Sequence, residues 1–455
     1  MTDLEITGGR FGINIGNQQF TIRNVHITNT IIGVNQIWDW GITYQDLTIT
    51  NCSTAFSMRG GGPSAPSVGS VTIIDSTIQN CPVFVDSAYQ PGPNSAGSLI
   101  LENIALGNVP IAVQGPNGTV LPGSNNAAVT ITAWGQVHKY DPSGPSDFQG
   151  SFVPPTRPAG LLASGSNRYY TKSKPQYATE PVSSFLSVRD AGATGDGSTD
   201  DTAAIQAALY LAVSSGRILF FDQGDYKVTN TLVFPAGSRI IGESYPVILA
   251  TGSTFSNMDL PVPVVQIGYP GESGHFEWSN MIVSTKGSTP GAVLIEWNLM
   301  AGPSQGSGMW DVHTRIGGFT GSELGVAECP TSAPVSPQCE AAFMAMRITR
   351  SGNGAYLENV WFWTADHDID NPSNTQISVY TGRGLLVEGR NTLLSVLPCV
   401  GPATDRVLIF TRYATAVEHY SLYQYQFSGA RNLVAGFVQT ETPCVIISTQ
   451  TRSFD

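Results

Sequence analysis

Two glutamates, Glu418 and Glu441, stand 23 residues apart in the otherwise apolar, aromatic and amide-rich stretch AVEHYSLYQYQFSGARNLVAGFVQTETP. Paired carboxyl groups suit glycoside hydrolysis, in which an acid protonates the leaving oxygen and a group on the opposite face activates water. A carboxyl group packed among Phe437, Tyr423 and Tyr425 would be desolvated, which raises its pKa toward the value that a general acid needs. We therefore predict that Glu441 stays protonated at mildly acidic pH. Two solvated surface glutamates are the alternative.

Other side chains suit sugar binding, because aromatic faces pack well against the apolar faces of sugars. Of four tryptophans that could do this, we choose Trp363, since alternating tryptophans are also typical of a strand with one buried face; the four are Trp38, Trp40, Trp361 and Trp363. Tyr423 is a further substrate-binding candidate. Four residues resemble a metal cluster at first sight, namely Asp366, His367, Asp368 and Asp370. Turn capping, or hydrogen bonding of Asp366 and His367 with sugar hydroxyls, is favoured over a metal.

Composition disfavours several classes of partner. The formal net charge of -12 at pH 7 would repel phosphate, which argues against nucleic acid and anionic membranes. Only 12% of the 455 residues are charged, whereas Gly (49) and Pro (29) are abundant, which is typical of many short strands and turns. No run is long enough to span a bilayer. We expect an all-β, soluble monomer that acts on a neutral substrate without a cofactor.

The six cysteines show no metal-site spacing. Cys329 and Cys339 bracket a loop rich in Pro and Ser that one disulfide would close, and a disulfide would imply an oxidising compartment. Two free thiols are the alternative. The first residues, MTDLEITGGRFGINIG, lack the features of a signal peptide.

A loose repeat predicts the architecture of the first part of the chain. Short alternating strands end near an asparagine at steps of 22, 29 and 28 residues, at Asn29, Asn51, Asn80 and Asn108. Periods of this size, with β-branched residues and Asn or Gly at the turns, indicate a parallel β-helix in which each coil stacks on the last. Each asparagine either bonds to the neighbouring coil or occupies a left-handed corner.

Three segments follow from the remaining patterns. Residues 1–134 are the first β-helix, and residues 135–182, rich in Pro, Gly and Ser, are a linker lying across the surface. Residues 183–455 are a second β-helix that opens with a capping helix near residues 201–213, its N-cap in the region of Asp200 and Asp201. Such a helix protects the exposed end of the solenoid.

Two stretches do not fit the coil pattern. Residues 391–413 interrupt an expected coil, and residues 444–455 end without a cap, while Met1 begins in mid-coil. An open coil leaves backbone groups and core unprotected. We expect that both β-helices are incomplete, and that the two stretches are translated intron or a misjoined gene.

Several motifs together resemble known enzymes. DAGATGDGSTDDTAAIQAAL is similar to the entry motif of the pectate-lyase-like superfamily. NQQFTIRNVHIT, SKPQY, GDYKVTNTLVFPAGSRIIGE, MWDVHTRIGG, ENVWFWTADHDID and the stretch from AVEHY to QTETP resemble glycoside hydrolase family 55, the exo-β-1,3-glucanases.

The resemblance implies two tandem right-handed parallel β-helices joined by a long linker. It also implies an extracellular, metal-independent enzyme that releases glucose from the non-reducing end of β-1,3-glucan with inversion. Glu441 of QTETP takes the place of the general acid, and Glu418 of AVEHY resembles the second acidic residue. Gln36 and Ser57 match the amide and hydroxyl that position the attacking water.

Two other functions remain open. One is a catalytically impaired β-helix that binds polysaccharide without cleaving it. The other is a pectin-degrading enzyme of the same fold, which would need a calcium-binding Asp cluster with a basic residue, or clustered catalytic Asp residues.

Overall fold

The computed structural model describes residues 1–91, 97–301, 307–331, 335–389, 413–431, 433 and 438–441. These residues belong to two compact units, of which the first contains Met1–Ser173 and the second begins at Lys174 and includes the strands that carry Glu418 and Glu441. The interruption predicted at residues 391–413, apart from its last position, and the stretch 444–455 lie outside the described residues. The described part has no helix long and apolar enough to cross a membrane.

The described part of the first unit contains ten strands. They are β1 (Thr2–Thr7), β2 (Phe11–Thr28), β3 (Ile32–Thr50), β4 (Thr54–Met58), β5 (Ser70–Ile74), β6 (Thr77–Gln79), β7 (Val83–Ser87), β8 (Ser98–Gly115), β9 (Gly118–Asp141) and β10 (Gly144–Ser151). Strands β1 to β8 pair in parallel from coil to coil. In-register apolar residues therefore stack into buried columns, such as that of Ile27, Ile49, Ile78 and Leu106. The predicted parallel β-helix is confirmed.

Both predicted roles of the asparagine repeat occur together. Asn29, Asn51, Asn80 and Asn108 have φ values of 59°, 58°, 54° and 55°, in the left-handed region. Each later side-chain amide donates to the previous side-chain carbonyl, at 3.4, 3.0 and 3.1 Å in chain order. The ladder therefore fixes both the corner conformation and the vertical spacing of the coils.

We predict that Asn80→Ala lowers the free energy of unfolding by about 1–2 kcal/mol, because alanine is strained at positive φ and both ladder hydrogen bonds are lost. Asn80→Gly loses the same hydrogen bonds, but glycine adopts this conformation freely and should cost less. Urea denaturation followed by tryptophan fluorescence measures both. Equal losses in the two variants would show that backbone strain contributes nothing here.

The predicted linker, residues 135–182, begins too early. Strand β9 continues to Asp141 and pairs antiparallel with both β8 and β10, so regular structure extends to Ser151. The glycine- and proline-rich composition concealed these strands, because they form a meander rather than another coil. After Ser151 the chain contains short 3-10 turns at Ala159–Leu161 and Val182–Ser184 and an isolated antiparallel bridge between Leu162 and Tyr169.

Side chains hold this segment against each unit in turn. In the first unit Arg157 donates to Asp75 at 2.7 Å and to Glu102 at 2.6 Å. In the second, Lys174 lies 2.7 Å from the carboxylate of Asp311, and the Tyr177 hydroxyl donates to Glu277 at 2.7 Å. The predicted path across the surface is therefore observed within each unit.

The second unit contains seventeen described strands and one α-helix. The strands are β11 (Phe185–Ser187), β12 (Asp196–Asp200), β13 (Ile218–Phe221), β14 (Asp225–Val228), β15 (Leu232–Phe234), β16 (Arg239–Gly242), β17 (Val247–Ala250), β18 (Val262–Ile267), β19 (Glu277–Thr285), β20 (Ala292–Trp297), β21 (Gly308–Ile316), β22 (Glu340–Ile348), β23 (Tyr356–Thr364), β24 (Tyr380–Val387), β25 (Tyr413–Glu418), β26 (Tyr423–Phe427) and β27 (Val438–Glu441). Short 3-10 turns lie at Ser253–Phe255 and Pro337–Cys339.

These strands form two parallel sheets. The eleven-stranded sheet follows the order β11-β13-β16-β19-β21-β23-β25-β27, with β12, β14 and β17 beside it. The six-stranded sheet follows the order β15-β18-β20-β22-β24-β26. Because β25 and β27 are neighbours in the first of these sheets, the two candidate glutamates lie on adjacent coils.

The predicted capping helix is α1 (Thr202–Ser214), which buries Ile205, Leu209 and two alanines and contacts β13 and β15. Its cap differs from the prediction in detail. Asp201 occupies the N-cap position but accepts hydrogen bonds from backbone N–H groups of the preceding loop. The carboxylate that bonds to the first turn is that of Asp200, which accepts from the Thr202 N–H at 3.1 Å.

Of the two alternatives for Cys329 and Cys339, the structure contains the disulfide. The carbonyl of Cys329 accepts a hydrogen bond from the Ser378 N–H at 2.9 Å. The disulfide loop is thereby attached to the segment that follows β23.

Candidate active site

The two candidate glutamates are direct neighbours across a pair of parallel strands. β25 and β27 pair in register so that Glu418 lies opposite Glu441. Adjacent strands are about 4.8 Å apart, so both residues occupy the same level of the sheet. The prediction that a separation of 23 residues corresponds to one coil is confirmed.

Glu418 is the desolvated member of the pair. It is 6% exposed, and its Oε2 accepts a hydrogen bond from Trp361 Nε1 at 3.0 Å. Burial raises the pKa of Glu418, and the nearby carboxylates of Glu441 and Asp366 add to the rise, while the bond from Trp361 and the proximity of His419 oppose it. The environment therefore favours the protonated form of this carboxyl.

The burial predicted for Glu441 is wrong. Its side chain is 50% exposed, so the apolar pocket predicted from its aromatic neighbours does not enclose it. The hydroxyl of Tyr425 instead donates to the backbone carbonyls of Thr415 and Gln439, and Phe437 lies outside the described residues. Desolvation acts on the other glutamate because strand β23 places an indole ring over Glu418.

His419 was not predicted and lies at the centre of the carboxyl groups. Its Nδ1 is 3.0 Å from the carbonyl oxygen of Thr364 and 3.6 Å from Asp366 Oδ1, and its Nε2 is 3.8 Å from Glu441 Oε2. The available signal was its position next to Glu418 in AVEHY. Sequence alone did not show that a loop after β23 would approach it.

The tryptophan prediction selected the wrong member of the pair in β23. Trp363 is 2% exposed and therefore offers no face to a sugar, whereas Trp361 is 37% exposed. The two rings stack with centroids 5.1 Å apart and planes 23° from parallel. Trp363 thus supports the ring of Trp361, which both faces outward and holds Glu418.

Asp366 and His367 lie beside this group, and their predicted contacts with sugar hydroxyls stay a prediction. His367 Nδ1 is 2.7 Å from Asp366 Oδ1, and the His367 ring packs against Trp363 with centroids 5.3 Å apart. Asp368 and Asp370 accept backbone N–H bonds from the loop that precedes the disulfide, at 3.2 and 2.8 Å. Asp368 also caps its own turn, because it accepts the Asp370 N–H at 3.1 Å, whereas the bond to Asp370 joins two separate loops. Among the described residues no group of His, Cys, Asp and Glu is arranged to hold a metal ion.

Tyr423 does not join this group. It lies on β26, in the six-stranded sheet, opposite Arg383 of β24. The change of sheet occurs because the chain turns a corner between β25 and β26. The packing of Tyr423 around the glutamate carboxyl is therefore not observed, and its predicted role in substrate binding stays a prediction.

Gln36 and Ser57 belong to the first unit and are both buried, at 0% and 6% exposure. The carbonyl oxygen of Gln36 accepts a hydrogen bond from the Tyr44 hydroxyl, and its amide donates to the Trp38 carbonyl at 2.9 Å. Each end of this amide therefore already has one protein partner, and the role predicted for Gln36 stays a prediction. Ser57 lies opposite Asn35 on the neighbouring strand, and its role stays a prediction.

A buried acid that the sequence did not indicate lies close to Gln36. Asp39 is 3% exposed and accepts backbone N–H bonds from Gly69 and Ser70 at 3.1 and 2.9 Å. Burial raises the pKa of Asp39 to about 6, against the opposing effect of these bonds. Its two N–H partners show that it fastens a loop to the coil.

Relatives of this chain are found over nearly its whole length. The glucan 1,3-beta-glucosidase of Cochliobolus carbonum is 51% identical over 449 residues, which cover 97% of this chain and 54% of that protein. This chain is a homologue of that glucosidase. The probable glucan endo-1,3-beta-glucosidase of Arthroderma benhamiae is 33% identical over 97% of this chain and 59% of its own length. The resemblance to glycoside hydrolase family 55 is thereby confirmed. The chain described here spans little more than half the length of each of these two relatives.

A family model described as rhamnogalacturonase A/epimerase, pectate lyase-like, matches residues 1–57 and 185–304. These are the first coils of each unit, and the match supports the pectate-lyase-like fold without including Glu418 or Glu441. Among solved structures, sacteLam55A from Streptomyces sp. SirexAA-E has a TM-score of 0.40 at 14% identity and covers 93% of this chain and 60% of its own.

Proposed function

We propose that this chain hydrolyses β-1,3-glucan and releases glucose from the non-reducing end with inversion. The observation that carries the proposal is the in-register pair of Glu418 and Glu441, one buried and one half-exposed, beside an outward-facing tryptophan. Two neighbouring carboxyl groups disfavour simultaneous ionisation, so the pair retains a proton over a wider pH range than an isolated glutamate. The names of the relatives support the choice of β-1,3-glucan.

Each member of the pair has a different part in this proposal. Glu441 is the acid that protonates the glycosidic oxygen, because its half-exposed carboxyl is accessible to a substrate. Glu418 increases the proton affinity of the pair, because its burial raises its pKa. The exposed indole of Trp361 packs on the apolar face of a glucose ring.

The geometry argues against Glu418 as the group that activates water. Inversion needs an acid and a base on opposite faces of the sugar, with carboxyl groups about 6.5–9.5 Å apart, whereas the pair in a retaining enzyme is about 5 Å apart. In-register residues on adjacent strands lie on one side of a substrate. Inversion therefore requires a water-activating group other than Glu418.

Incubation of the purified protein with laminarin tests this proposal, with release followed by proton NMR of the anomeric hydrogen. Immediate appearance of α-glucose is expected for inversion. Immediate β-glucose would show retention and would make one glutamate a nucleophile. Binding of laminarin without glucose would favour the non-catalytic alternative, and cleavage of pectate with a rise in ultraviolet absorbance would favour a lyase.

We also propose that the protein acts outside the cell, as the family resemblance implies. The disulfide between Cys329 and Cys339 supports an oxidising compartment.

A further inference from the structure

His419 is a residue of the candidate site to which neither the motifs nor the proposed reaction assigns a part. It directly follows β25, is 6% exposed and has a φ of 68°. Residues other than glycine rarely adopt this conformation, which persists where the surrounding contacts over-determine it. The contacts of His419 are therefore the place to look for its role.

One side of the imidazole is fixed. Nδ1 is 3.0 Å from the carbonyl oxygen of Thr364. A carbonyl oxygen only accepts, so Nδ1 carries a hydrogen and donates it. Asp366 Oδ1 lies 3.6 Å from the same nitrogen and is bound in turn by His367. These contacts set both the orientation and the tautomer of the ring.

The other side of the ring faces the proposed acid. Nε2 is buried and has no hydrogen-bond partner among the described residues, and it lies 3.8 Å from Glu441 Oε2. The backbone N–H of His419 also donates to the carbonyl of Glu441 at 2.9 Å. A buried, unpaired nitrogen is costly, and a small rotation of the half-exposed Glu441 side chain would give it a partner.

We propose that His419 is a positioning residue for Glu441, whose carboxyl it orients through a hydrogen bond to Nε2. With Nδ1 protonated, a neutral ring accepts the hydrogen of the acid form, and a charged ring donates to the carboxylate. The charged or titratable groups that face the ring are Glu418 on its own strand, Asp366 after β23, and Glu441 on β27. This inference rests on the proposed function of Glu441.

Two matched variants separate positioning from support of the fold. Asparagine tolerates positive φ and can donate to the Thr364 carbonyl, but His419→Asn has no atom at the place of Nε2. His419→Gln places an amide near that position without a titrating group. We expect His419→Asn to lower kcat on laminarin by about 10- to 100-fold with little change in KM and with an altered pH profile, and His419→Gln to recover part of the loss. An unchanged kcat and pH profile in His419→Asn, or equal losses in the two variants, would overturn the inference.

A second measurement does not depend on activity. In protein labelled with 15N-histidine, the Nε2 resonance of His419 should shift in Glu441→Gln and stay in place in Glu323→Gln, whose parent side chain is 62% exposed and pairs with Lys286. If the parent releases no glucose, the proposed function is wrong. If the Nε2 resonance does not shift in Glu441→Gln, His419 and Glu441 are not in contact and the inference about His419 is wrong.

Discussion

Glu441→Gln is expected to slow laminarin hydrolysis by about 100- to 10,000-fold, the usual contribution of a general acid. Glutamine has nearly the same shape but has no acidic proton to give to the leaving oxygen. Because the Glu441 side chain is 50% exposed, the substitution should change the free energy of unfolding by less than about 0.5 kcal/mol. Initial rates of glucose release and thermal unfolding measure the two effects.

The leaving group distinguishes an acid from a residue that only binds substrate. A dinitrophenyl β-glucoside needs no proton on its leaving oxygen, so Glu441→Gln should lose far less activity on it than on laminarin. Glu323→Gln is the control, since this glutamate is exposed and distant in sequence from the pair. Equal losses on both substrates would remove Glu441 from the role of acid.

Glu418→Gln is the second large effect, with an expected loss of about 100-fold on laminarin. Glu418→Gln removes the member of the pair whose pKa burial raises, so the pair loses the proton that it holds to the higher pH and the basic limb of the pH–rate profile should move to lower pH. The glutamine oxygen can still accept the Trp361 N–H, so the indole should stay in place. Rates measured from pH 4 to pH 8 test this expectation.

Stability gives an independent test of the same residue. Burial raises the pKa of Glu418 above its unfolded-state value of about 4.3, so the folded state retains a proton that the unfolded state has released. The contribution of Glu418 to stability is thus present below that pH and is lost as the pH rises through the folded-state pKa. Glu418→Gln should therefore gain thermal stability relative to the parent between pH 4 and pH 7. A difference in thermal stability between Glu418→Gln and the parent that stays constant from pH 4 to pH 7 would contradict the burial of an ionisable Glu418. If Glu418→Gln, and not Glu441→Gln, loses far less activity on the dinitrophenyl glucoside than on laminarin, the roles of the two glutamates are exchanged.

The repeating parts of this protein were readable from sequence because each coil obeys a local rule. Asparagines spaced by one coil marked the corners, and alternating β-branched residues marked the strands between them. The helix at Thr202–Ser214 followed from its apolar spacing. The meander of β9 and β10 was not predicted, since its antiparallel pairing leaves no periodic signal in a segment rich in Gly and Pro.

In the candidate site, the features that sequence determined and those that the tertiary structure decided are clearly separate. Sequence by itself determined that Glu418 and Glu441 are neighbours, because 23 residues complete one coil. Only the tertiary structure decided which of them is buried, which tryptophan faces outward and that His419 lies between the acids. Burial and proton affinity depend on side chains from other coils, here Trp361 and Asp366 from β23 and its following loop, and their approach is fixed by stacking between coils.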